Sequence, residues 1–355
     1  MKQEDIMMNH RIPDEVRYAR QIRFKPLAVD GQSLITASKV AVVGMGALGC
    51  VIAQHLARGG AGYLRLIDRD IVEASNLQRQ ILYDEDDVYA VMPKAQAAAR
   101  RLKAANSSIQ VDAMVEDLTP ANAEELLKGV DLILDGTDNF STRYLINDYS
   151  VKHGIPWIYG GAVGSGGMMM AIRPGSTPCY RCLFPAAPAP GTTDTCETAG
   201  VLSPAIDMAA SLQTAEAFKL LSGRSDKLHG SLIQFDIWDT GMTQLKISDS
   251  KRADCPCCGL HHYEFLEPDE AHPAVEALCG RSSVQLTPAV PMRLNLDELA
   301  SRLQAAGTVE RNPYLLKLLL PNDQSLVLFP DGRALIQGTN DPDQARRLYT
   351  RIMAP

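Results

Sequence analysis

The stretch Lys39-Val-Ala-Val-Val-Gly-Met-Gly-Ala-Leu-Gly49 decides the fold. Residues 40–43 are apolar and mostly β-branched, which is typical of a buried parallel strand. The glycines that follow fit the pattern G-x-G-x-x-G, and residues 47–58 carry helix-type spacing up to the pair Gly59-Gly60. The stretch therefore predicts a strand, a tight glycine turn and a helix, which together open a doubly wound sheet.

Strands and helices continue to alternate after this unit. Residues 14–38 before it are interpreted as a helical lead-in. The later elements are predicted as strands at 63–68, 109–115, 130–135 and 155–159, and as helices at 92–105 and 121–128. Such alternation implies βαβ units. The predicted fold class is therefore α/β, a Rossmann-like and mostly parallel sheet with helices on both faces.

The chain as a whole is predicted to form two domains. Further elements of the first are predicted at 168–173, 203–222, 231–237 and 243–248. They complete a domain over residues 1–266, and the proline-rich stretch 267–290 predicts a linker. Residues 291–355 predict a small α+β C-terminal domain with an α-β-β-β-α pattern, in which Asn295 caps the first helix.

Composition narrows the classes of function and partner. The chain has 355 residues, a hydrophobic fraction of 46% and a formal net charge of −7. This balance offers no basic footprint for nucleic acid or an anionic membrane, and no apolar run reaches the ~20 residues that span a bilayer. Residues 1–14 are polar and lack the apolar core of a secretory signal. We therefore expect a cytoplasmic protein with reduced thiols and with neither nucleic acid nor membrane as a partner.

The glycine loop predicts a nucleotide site. Gly44, Gly46 and Gly49 permit a close backbone approach, and the helix that opens at Ala47 offers free N–H groups to phosphate. Asp68 ends the next strand, 24 residues after Gly44, where an acid can accept hydrogen bonds from ribose hydroxyls. NAD and ATP fit this pattern equally well up to Asp68.

Residues beyond Asp68 favour ATP. The candidates are Asp70, Asn76, Arg79, Gln80, Lys94 and Asp138. Separately, they have ordinary explanations as a polar loop, an exposed helix lysine and, for Asp138, a helix cap. Together they suit acyl adenylation, because a carboxylate and ATP are both anionic and need fixed positive charge and a metal. Arg79 and Lys94 can neutralise phosphates, and Asp138 is a hard oxygen ligand suited to Mg²⁺.

Two CxxC pairs predict a zinc site. The chain has eight cysteines, and Cys179/Cys182 and Cys255/Cys258 have the spacing of a tetrahedral, structural Zn²⁺ site. A thioredoxin-like redox pair is the rival interpretation, and Cys257 is an alternative to one of the ligands.

Besides Cys257, three cysteines lie outside these pairs. Cys196 lies in a predicted loop before the long helix, and it is either an ordinary thiol or a reactive thiolate. Cys50 is predicted to be a core residue of the first helix. Cys279 is given no role.

Taken together, the motifs resemble the ThiF/MoeB family, bacterial relatives of the ubiquitin-activating enzymes. The resemblance rests on the glycine loop, both CxxC pairs, Met92-Pro-Lys94, Gly136-Thr-Asp-Asn139 and the run Asp68-Arg-Asp-Ile-Val-Glu-Ala-Ser-Asn-Leu-Gln-Arg-Gln80. It covers residues 14–266 in the same order. One departure is Val91-Met-Pro-Lys94, where the family often has Gly-Gln-Pro-Lys.

The resemblance implies an activity, cofactors and partners. Members adenylylate the terminal glycine of a small ubiquitin-like sulfur carrier ending in Gly-Gly, either ThiS of thiamine thiazole synthesis or MoaD of molybdopterin synthesis. The implied ATP contacts are Gly46, Asp68, Asn76, Arg79 and Lys94. Asp138 would hold Mg²⁺. Arg20, on the N-terminal helix, would reach the site of the opposite subunit, which implies a homodimer. In some members a cysteine at the Cys196 motif links covalently to the carrier or handles sulfur.

Several alternatives stay open. The leading prediction is an ATP-dependent carrier adenylyltransferase; the others are a non-catalytic partner subunit and an NAD(P)-dependent oxidoreductase. The glycine-rich run 159–167 is either a wall of the channel for the carrier tail or a flexible turn region. Residues 291–355 contain no cysteine, so rhodanese activity is not expected there. The role of this tail, in carrier docking or dimer stability, is open, as are the sulfur donor and the choice between ThiS and MoaD.

Overall fold

The computed structural model describes residues 12–187, 198–267, 275–277, 283–286, 288, 292–304, 306–320, 324–339 and 341–353. These residues form two compact units. The first comprises 12–89, 93–187 and 199–267, and the second comprises 90–92, 198 and the described residues from 275 onward.

An eight-stranded sheet forms the centre of the first unit. Its strands are β1 (Lys39–Val43), β2 (Tyr63–Ile67), β3 (Gln110–Met114), β4 (Leu132–Asp135), β5 (Trp157–Val163), β6 (Gly166–Ile172), β7 (Ser231–Asp236) and β8 (Gly241–Lys246). The strand order is β3-β2-β1-β4-β5-β6-β7-β8. Neighbours from β3 to β5 run parallel, and those from β5 to β8 run antiparallel. The predicted α/β fold class with a mostly parallel sheet is therefore confirmed.

Helices cover both faces of this sheet. Those of the first unit are α1 (Asp14–Arg17), α2 (Ala19–Ile22), α3 (Ala28–Ala37), α4 (Ala47–Gly59), α5 (Glu85–Tyr89), α6 (Lys94–Ala105), α7 (Ala123–Leu127), α8 (Phe140–His153), α9 (Tyr180–Leu183) and α10 (Ser203–Leu221). Ala41 and Val43 of β1 belong to a core cluster with residues of α7 and α8. Val40 and Val42 point to the opposite face, because side chains alternate along a strand, and they too are fully buried.

The predicted helical lead-in is broken into α1, α2 and α3. A turn between α2 and α3 contains Pro26, and the residue before a proline is disfavoured in the helical region. Leu27 N–H donates to Phe24 O at 2.9 Å and closes this turn.

A six-stranded antiparallel sheet and two helices form the second unit. Its elements are β9 (Val275–Ala277), β10 (Ser283–Leu286), α11 (Leu296–Leu303), β11 (Thr308–Asn312), β12 (Leu315–Leu319), β13 (Ser325–Leu328), β14 (Ala334–Gln337) and α12 (Pro342–Met353). The strand order is β11-β12-β13-β14-β10-β9. Asn295 caps α11 by accepting hydrogen bonds from Asp297 N–H and Glu298 N–H.

The stretch 267–290, predicted as a linker, contains β9 and β10 of this sheet. Its prolines suggested an irregular segment, but Pro273 and Pro288 lie before β9 and after β10 rather than inside them. A proline outside a strand removes no ladder hydrogen bond, so it does not prevent pairing. Within the described residues of the chain, none of the helices combines the length and the apolar character that crossing a membrane requires.

Candidate functional site

The order of the parallel strands reverses at β1. From β1 the chain adds β2 and β3 on one side and then β4 and β5 on the other. Val43 pairs with Ile67 on one side and with Asp135 on the other, so the loops after β1, β2 and β4 leave the sheet at one edge. Open parallel sheets bind ligands in the crevice at such a switch point. The glycine loop, Asp68 and Asp138 therefore come to the same place.

Two glycines of the loop are required by packing, and a third is not. A Cβ on Gly44, whose φ is +87°, would lie 2.8 Å from the backbone of Gly136. A Cβ on Gly49 would lie only 1.9 Å from the carbonyl oxygen of Gly44. At Gly46 the nearest described atom is 3.9 Å away. The lack of a side chain at Gly46 leaves space that no described residue fills, as a phosphate cradle requires.

Asp68, Asp70 and Lys94 form a charged cluster beside the glycine loop. The Asp68 carboxylate accepts hydrogen bonds from Met45 N–H at 2.6 Å and Asp70 N–H at 2.7 Å. Lys94 Nζ lies 3.0 Å from Asp70 Oδ2, although Lys94 is only 2% exposed. Burial raises the pKa of Asp68; the Lys94 ammonium opposes that rise and the Asp70 charge adds to it. The positive charge of Lys94 is thus held at the start of α6, at the edge of the sheet where the glycine loop lies.

Tyr83 joins the glycine loop to α6, a role that the sequence did not suggest. Its buried hydroxyl lies 2.7 Å from Met45 O and 3.2 Å from Lys94 O. A tyrosine in an irregular segment carries no spacing signal, so its partners emerge only from the fold.

The polar segment after Asp70 is ordered. Asn76 ends a 3₁₀ turn and accepts a hydrogen bond from Glu73 N–H at 3.1 Å. Arg79 is partly exposed and donates to Ser75 O at 2.8 Å. Gln80 is 2% exposed, and its Oε1 has no hydrogen-bond partner among the described residues. Because buried polar atoms are normally paired, Gln80 Oε1 is a candidate contact for a ligand or a water.

Asp138 lies in the loop between β4 and α8. Asn139 is the helix cap, since its side chain accepts hydrogen bonds from Ser141 N–H and Thr142 N–H. The helix-cap explanation of Asp138 is therefore wrong. Asp138 is exposed, and within the described residues its carboxylate makes neither a hydrogen bond nor an ion pair. It is the kind of carboxylate that is available to a cation.

A buried ion pair underlies this loop and was not predicted from the sequence. Arg143 Nε donates to Asp135 Oδ2 at 3.0 Å, and Arg143 Nη2 donates to Thr137 O at 2.7 Å. Asp135 Oδ1 accepts from both Thr137 N–H and its hydroxyl, at 2.9 and 2.7 Å. Burial raises the pKa of Asp135, and the Arg143 guanidinium opposes that rise. The sequence did contain one signal for this pair: an aspartate ends a strand, and an arginine follows it in the next helix.

Two glycines of the run 159–167 are explained by packing within the unit. A Cβ on Gly160 would lie 2.2 Å from the side chain of Gln213, and one on Gly167 would lie 2.4 Å from the ring of Phe235. Gln213 Nε2 in turn donates to Asp135 O at 2.8 Å and to Ile158 O at 3.2 Å. These two glycines need no approaching carrier tail to account for them.

The two CxxC pairs meet. The Sγ atoms of Cys179, Cys182, Cys255 and Cys258 lie within 4.8 Å of one another. Three of these contacts measure 3.9, 3.6 and 3.4 Å. Tetrahedral zinc with Zn–S bonds of ~2.3 Å places its sulfurs ~3.8 Å apart. The donor set and its spacing therefore fit Zn²⁺.

Asn147 connects both cysteine loops to α8. Its side-chain oxygen accepts from Tyr180 N–H at 2.8 Å, and its Nδ2 lies 3.2 Å from Cys257 Sγ. Cys257, the alternative ligand, is fully buried but lies outside the group of four. Its sulfur instead contacts Asn147 of α8.

The remaining residues singled out in the sequence are Arg20 and three cysteines. Arg20 is exposed on α2. Cys50 is fully buried, which confirms it as a core residue, and burial raises the pKa of its thiol to about 12. Cys196 and Cys279 lie outside the described residues, so the reactivity of Cys196 stays a prediction.

Known proteins share this architecture. A family model described as the ThiF family matches residues 18–257. The sulfur carrier protein ThiS adenylyltransferase of Bacillus subtilis is 43% identical over 334 residues, which cover 94% of this chain and 98% of that protein. The sulfur carrier protein adenylyltransferase of Thermus thermophilus is 38% identical over 248 residues, 68% of this chain and 90% of that protein. A crystal structure of E. coli MccB with MccA-N7isoASN superposes with a TM-score of 0.61 at 25% identity, covering 71% of this chain and 76% of that one.

The family match spans more than half of the chain and includes the glycine loop, Lys94 and Asp138. The B. subtilis relative extends the similarity over nearly all of both proteins. The resemblance seen in the motifs is therefore confirmed, and the chain belongs to the ThiF family.

Proposed function

We propose that this protein is an adenylyltransferase that uses ATP to adenylylate the C-terminal glycine of a small ubiquitin-like sulfur carrier. The observation that carries the proposal is the convergence at the switch point of β1 and β4. Three features lie in the segments that follow β1, β2 and β4 at one edge of the sheet. They are the open glycine cradle at Gly46, the ion pair between the buried Lys94 and Asp70, and the unpartnered carboxylate of Asp138. The names of the relatives in B. subtilis and T. thermophilus support the same activity.

The reaction joins two anions. A carboxylate oxygen of the carrier attacks the α-phosphorus of ATP, an acyl–O–P bond forms, and pyrophosphate leaves with the electrons of the broken P–O bond. Fixed positive charge lowers the barrier because negative charge accumulates on the phosphoryl oxygens. Mg²⁺, when bound, neutralises phosphate charge, and Asp138 is the residue proposed to hold it.

The positions of the side chains support the following proposed roles. The backbone around Gly46 and the first N–H groups of α4, from Ala47, would cradle phosphates. Each Asp68 oxygen already accepts one backbone N–H and keeps a lone pair for a ribose hydroxyl. Arg79 and Lys94 would supply the positive charge. Asn76 and Gln80 would complete the polar lining.

A ThiS-type carrier is the proposed partner. The B. subtilis relative, which is named for ThiS, is similar over 94% of this chain, so the similarity includes the second unit. The T. thermophilus relative is matched over 90% of its own length by only 68% of this chain. The second unit thus accompanies the ThiS-specific name in this comparison.

ATP–pyrophosphate exchange tests the proposal. We expect exchange with a ThiS-type carrier, weaker exchange with a MoaD-type carrier, and none with a ThiS variant that lacks its last two glycines. Stronger exchange with MoaD would overturn the choice of carrier alone. No exchange with any Gly-Gly carrier, while the carrier still binds, would instead favour the non-catalytic partner subunit.

A homodimer with shared sites is proposed as the working form. Arg20 is exposed, and the neighbouring apolar residues Val16 and Phe24 are 63% and 60% exposed. Exposed apolar side chains flanking a candidate site residue support a subunit contact there.

The test of the shared site mixes two inactive variants, Arg20→Ala and Asp138→Asn. Heterodimers contain one intact site if Arg20 acts on the opposite subunit, so activity should return on mixing. No recovery despite subunit exchange would show that Arg20 acts within its own subunit or not at all.

A further inference from the structure

Arg143 is a buried cation that makes several contacts. It is 6% exposed, and besides Asp135 Oδ2 and Thr137 O its guanidinium reaches Gly160 O, 3.3 Å from Nη2. The guanidinium carbon lies 5.4 Å from the ring centre of Phe140 and 5.2 Å from that of Tyr159. One side chain on α8 therefore connects the end of β4, the loop after it and β5.

Stability alone does not explain this arrangement. Removing a guanidinium and a carboxylate from water is costly, and apolar residues of similar volume often replace a buried ion pair without loss of stability. What an apolar pair cannot reproduce is directed hydrogen bonding to Thr137 O, Thr137 N–H and Gly160 O. The pair thus fixes backbone geometry at this edge of the sheet.

The loop residues around Asp138 are all fixed, but the Asp138 side chain is not. Gly136 packs against Gly44 and Gly49. Thr137 is held by Asp135 and Arg143, and Asn139 is held as the cap of α8. The direction in which the Asp138 carboxylate leaves the backbone is therefore set by its neighbours.

We propose that Arg143 is a positioning residue, which holds the loop 136–139 against β5 so that the Asp138 carboxylate meets Mg²⁺ in the geometry that adenylation needs. This inference rests on the proposed function. Mg²⁺ requires near-ideal octahedral geometry, so a small shift of its carboxylate ligand weakens binding.

The test replaces the pair by apolar residues and measures the dependence of exchange on Mg²⁺. In the double variant Asp135→Leu/Arg143→Met, we expect the half-saturating Mg²⁺ concentration to rise at least ~10-fold while the Tm changes by less than ~5 °C. Asp87→Leu/Arg100→Met is the control, since Asp87 is also fully buried and pairs with Arg100 at another place in the unit. Its Mg²⁺ dependence should match the unaltered protein.

Arg143→Lys keeps the charge but loses the fork that reaches several acceptors. We expect an intermediate rise in the half-saturating Mg²⁺ concentration, and this variant decides the question if the double variant does not fold. Unchanged Mg²⁺ dependence in either folded variant would overturn the inference. Asp138→Asn, measured in parallel, separates the two proposals. If this variant keeps full exchange activity, the assignment of Asp138 to the metal fails. If it abolishes exchange while the Arg143 variants keep the Mg²⁺ dependence of the unaltered protein, only the positioning role of Arg143 fails.

Discussion

The cysteine cluster and the Asp138 loop are two candidate metal sites of one unit, built in opposite ways. The cluster offers four sulfurs within 4.8 Å of one another, and three of its cysteines are buried. The Asp138 loop offers a single exposed carboxylate. Both are anchored by α8, through Asn139 and Arg143 near its start and Asn147 further along.

This is the difference expected between a structural metal site and a catalytic one. Four protein ligands complete the tetrahedral shell of Zn²⁺ and leave no position for a substrate. One carboxylate leaves most of the octahedral shell of Mg²⁺ to water and phosphate oxygens. The closed site should therefore govern stability, and the open site should govern rate.

Loss of a cluster ligand should have the largest effect. Cys255→Ala leaves three thiols around the site, and because metal affinity contributes directly to folding, we expect zinc content to fall to near zero. The Tm should fall by more than ~10 °C, which corresponds to several kcal/mol for a unit of this size. Thermal denaturation and metal analysis of the purified protein check both. Native zinc content at an unchanged Tm would show that the cluster is not the zinc site.

Asp138→Asn should show the converse behaviour. We expect ATP–pyrophosphate exchange to fall at least ~100-fold, because a charge-stabilising group is lost at the reacting phosphates. The Tm should stay within ~2 °C, since the side chain is exposed and has no described partner. Binding of the carrier should persist, as a pull-down with the labelled carrier would show. Full exchange activity in this variant would refute the metal assignment.

Two glycines of the glycine loop after β1 should separate the reaction rate from the stability of the protein. Gly49→Ala places a Cβ 1.9 Å from Gly44 O, so we expect a loss of ~1–3 kcal/mol in the free energy of unfolding. Gly46→Ala meets no atom nearer than 3.9 Å among the described residues, so its stability should be unchanged while its KM for ATP rises. Chemical denaturation and exchange kinetics measure the two quantities. Equal stability of the two variants would contradict this division.

Cys257→Ala should have the smallest effect and marks the boundary of the cluster. It removes the sulfur that lies 3.2 Å from Asn147 Nδ2, so we expect about 1 kcal/mol of destabilisation. Zinc content should stay at that of the unaltered protein. A loss of zinc comparable to that of Cys255→Ala would place Cys257 among the ligands.

Local signals made part of this molecule predictable. The strand, glycine turn and helix at residues 39–59 are adjacent in sequence, and their apolar spacing and glycines encode them directly. The cysteine pairs were recognisable because each supplies two ligands at a fixed short spacing. The choice of ATP over NAD needed Arg79, Lys94 and Asp138 to be considered together, and the family resemblance supplied their roles.

Other features depend on partners far away in the chain. The prolines of 267–290 suggested a linker, yet β10 pairs with β14 about fifty residues later. Gly160 suggested a channel for another backbone, but the side chain of Gln213 fills that space. Neither relation leaves a periodic or short-range trace in the sequence.

The sequence by itself determined the α/β class and the family, and it supplied the candidate residues for phosphate, Mg²⁺ and Zn²⁺. Only the tertiary structure decided that Asn139 caps α8 and leaves Asp138 free, and that Arg143 joins β4, its loop and β5. The physical reason is that spacing along the chain records local backbone preference and side-chain chemistry. Which buried polar groups satisfy one another is settled only when distant segments pack together.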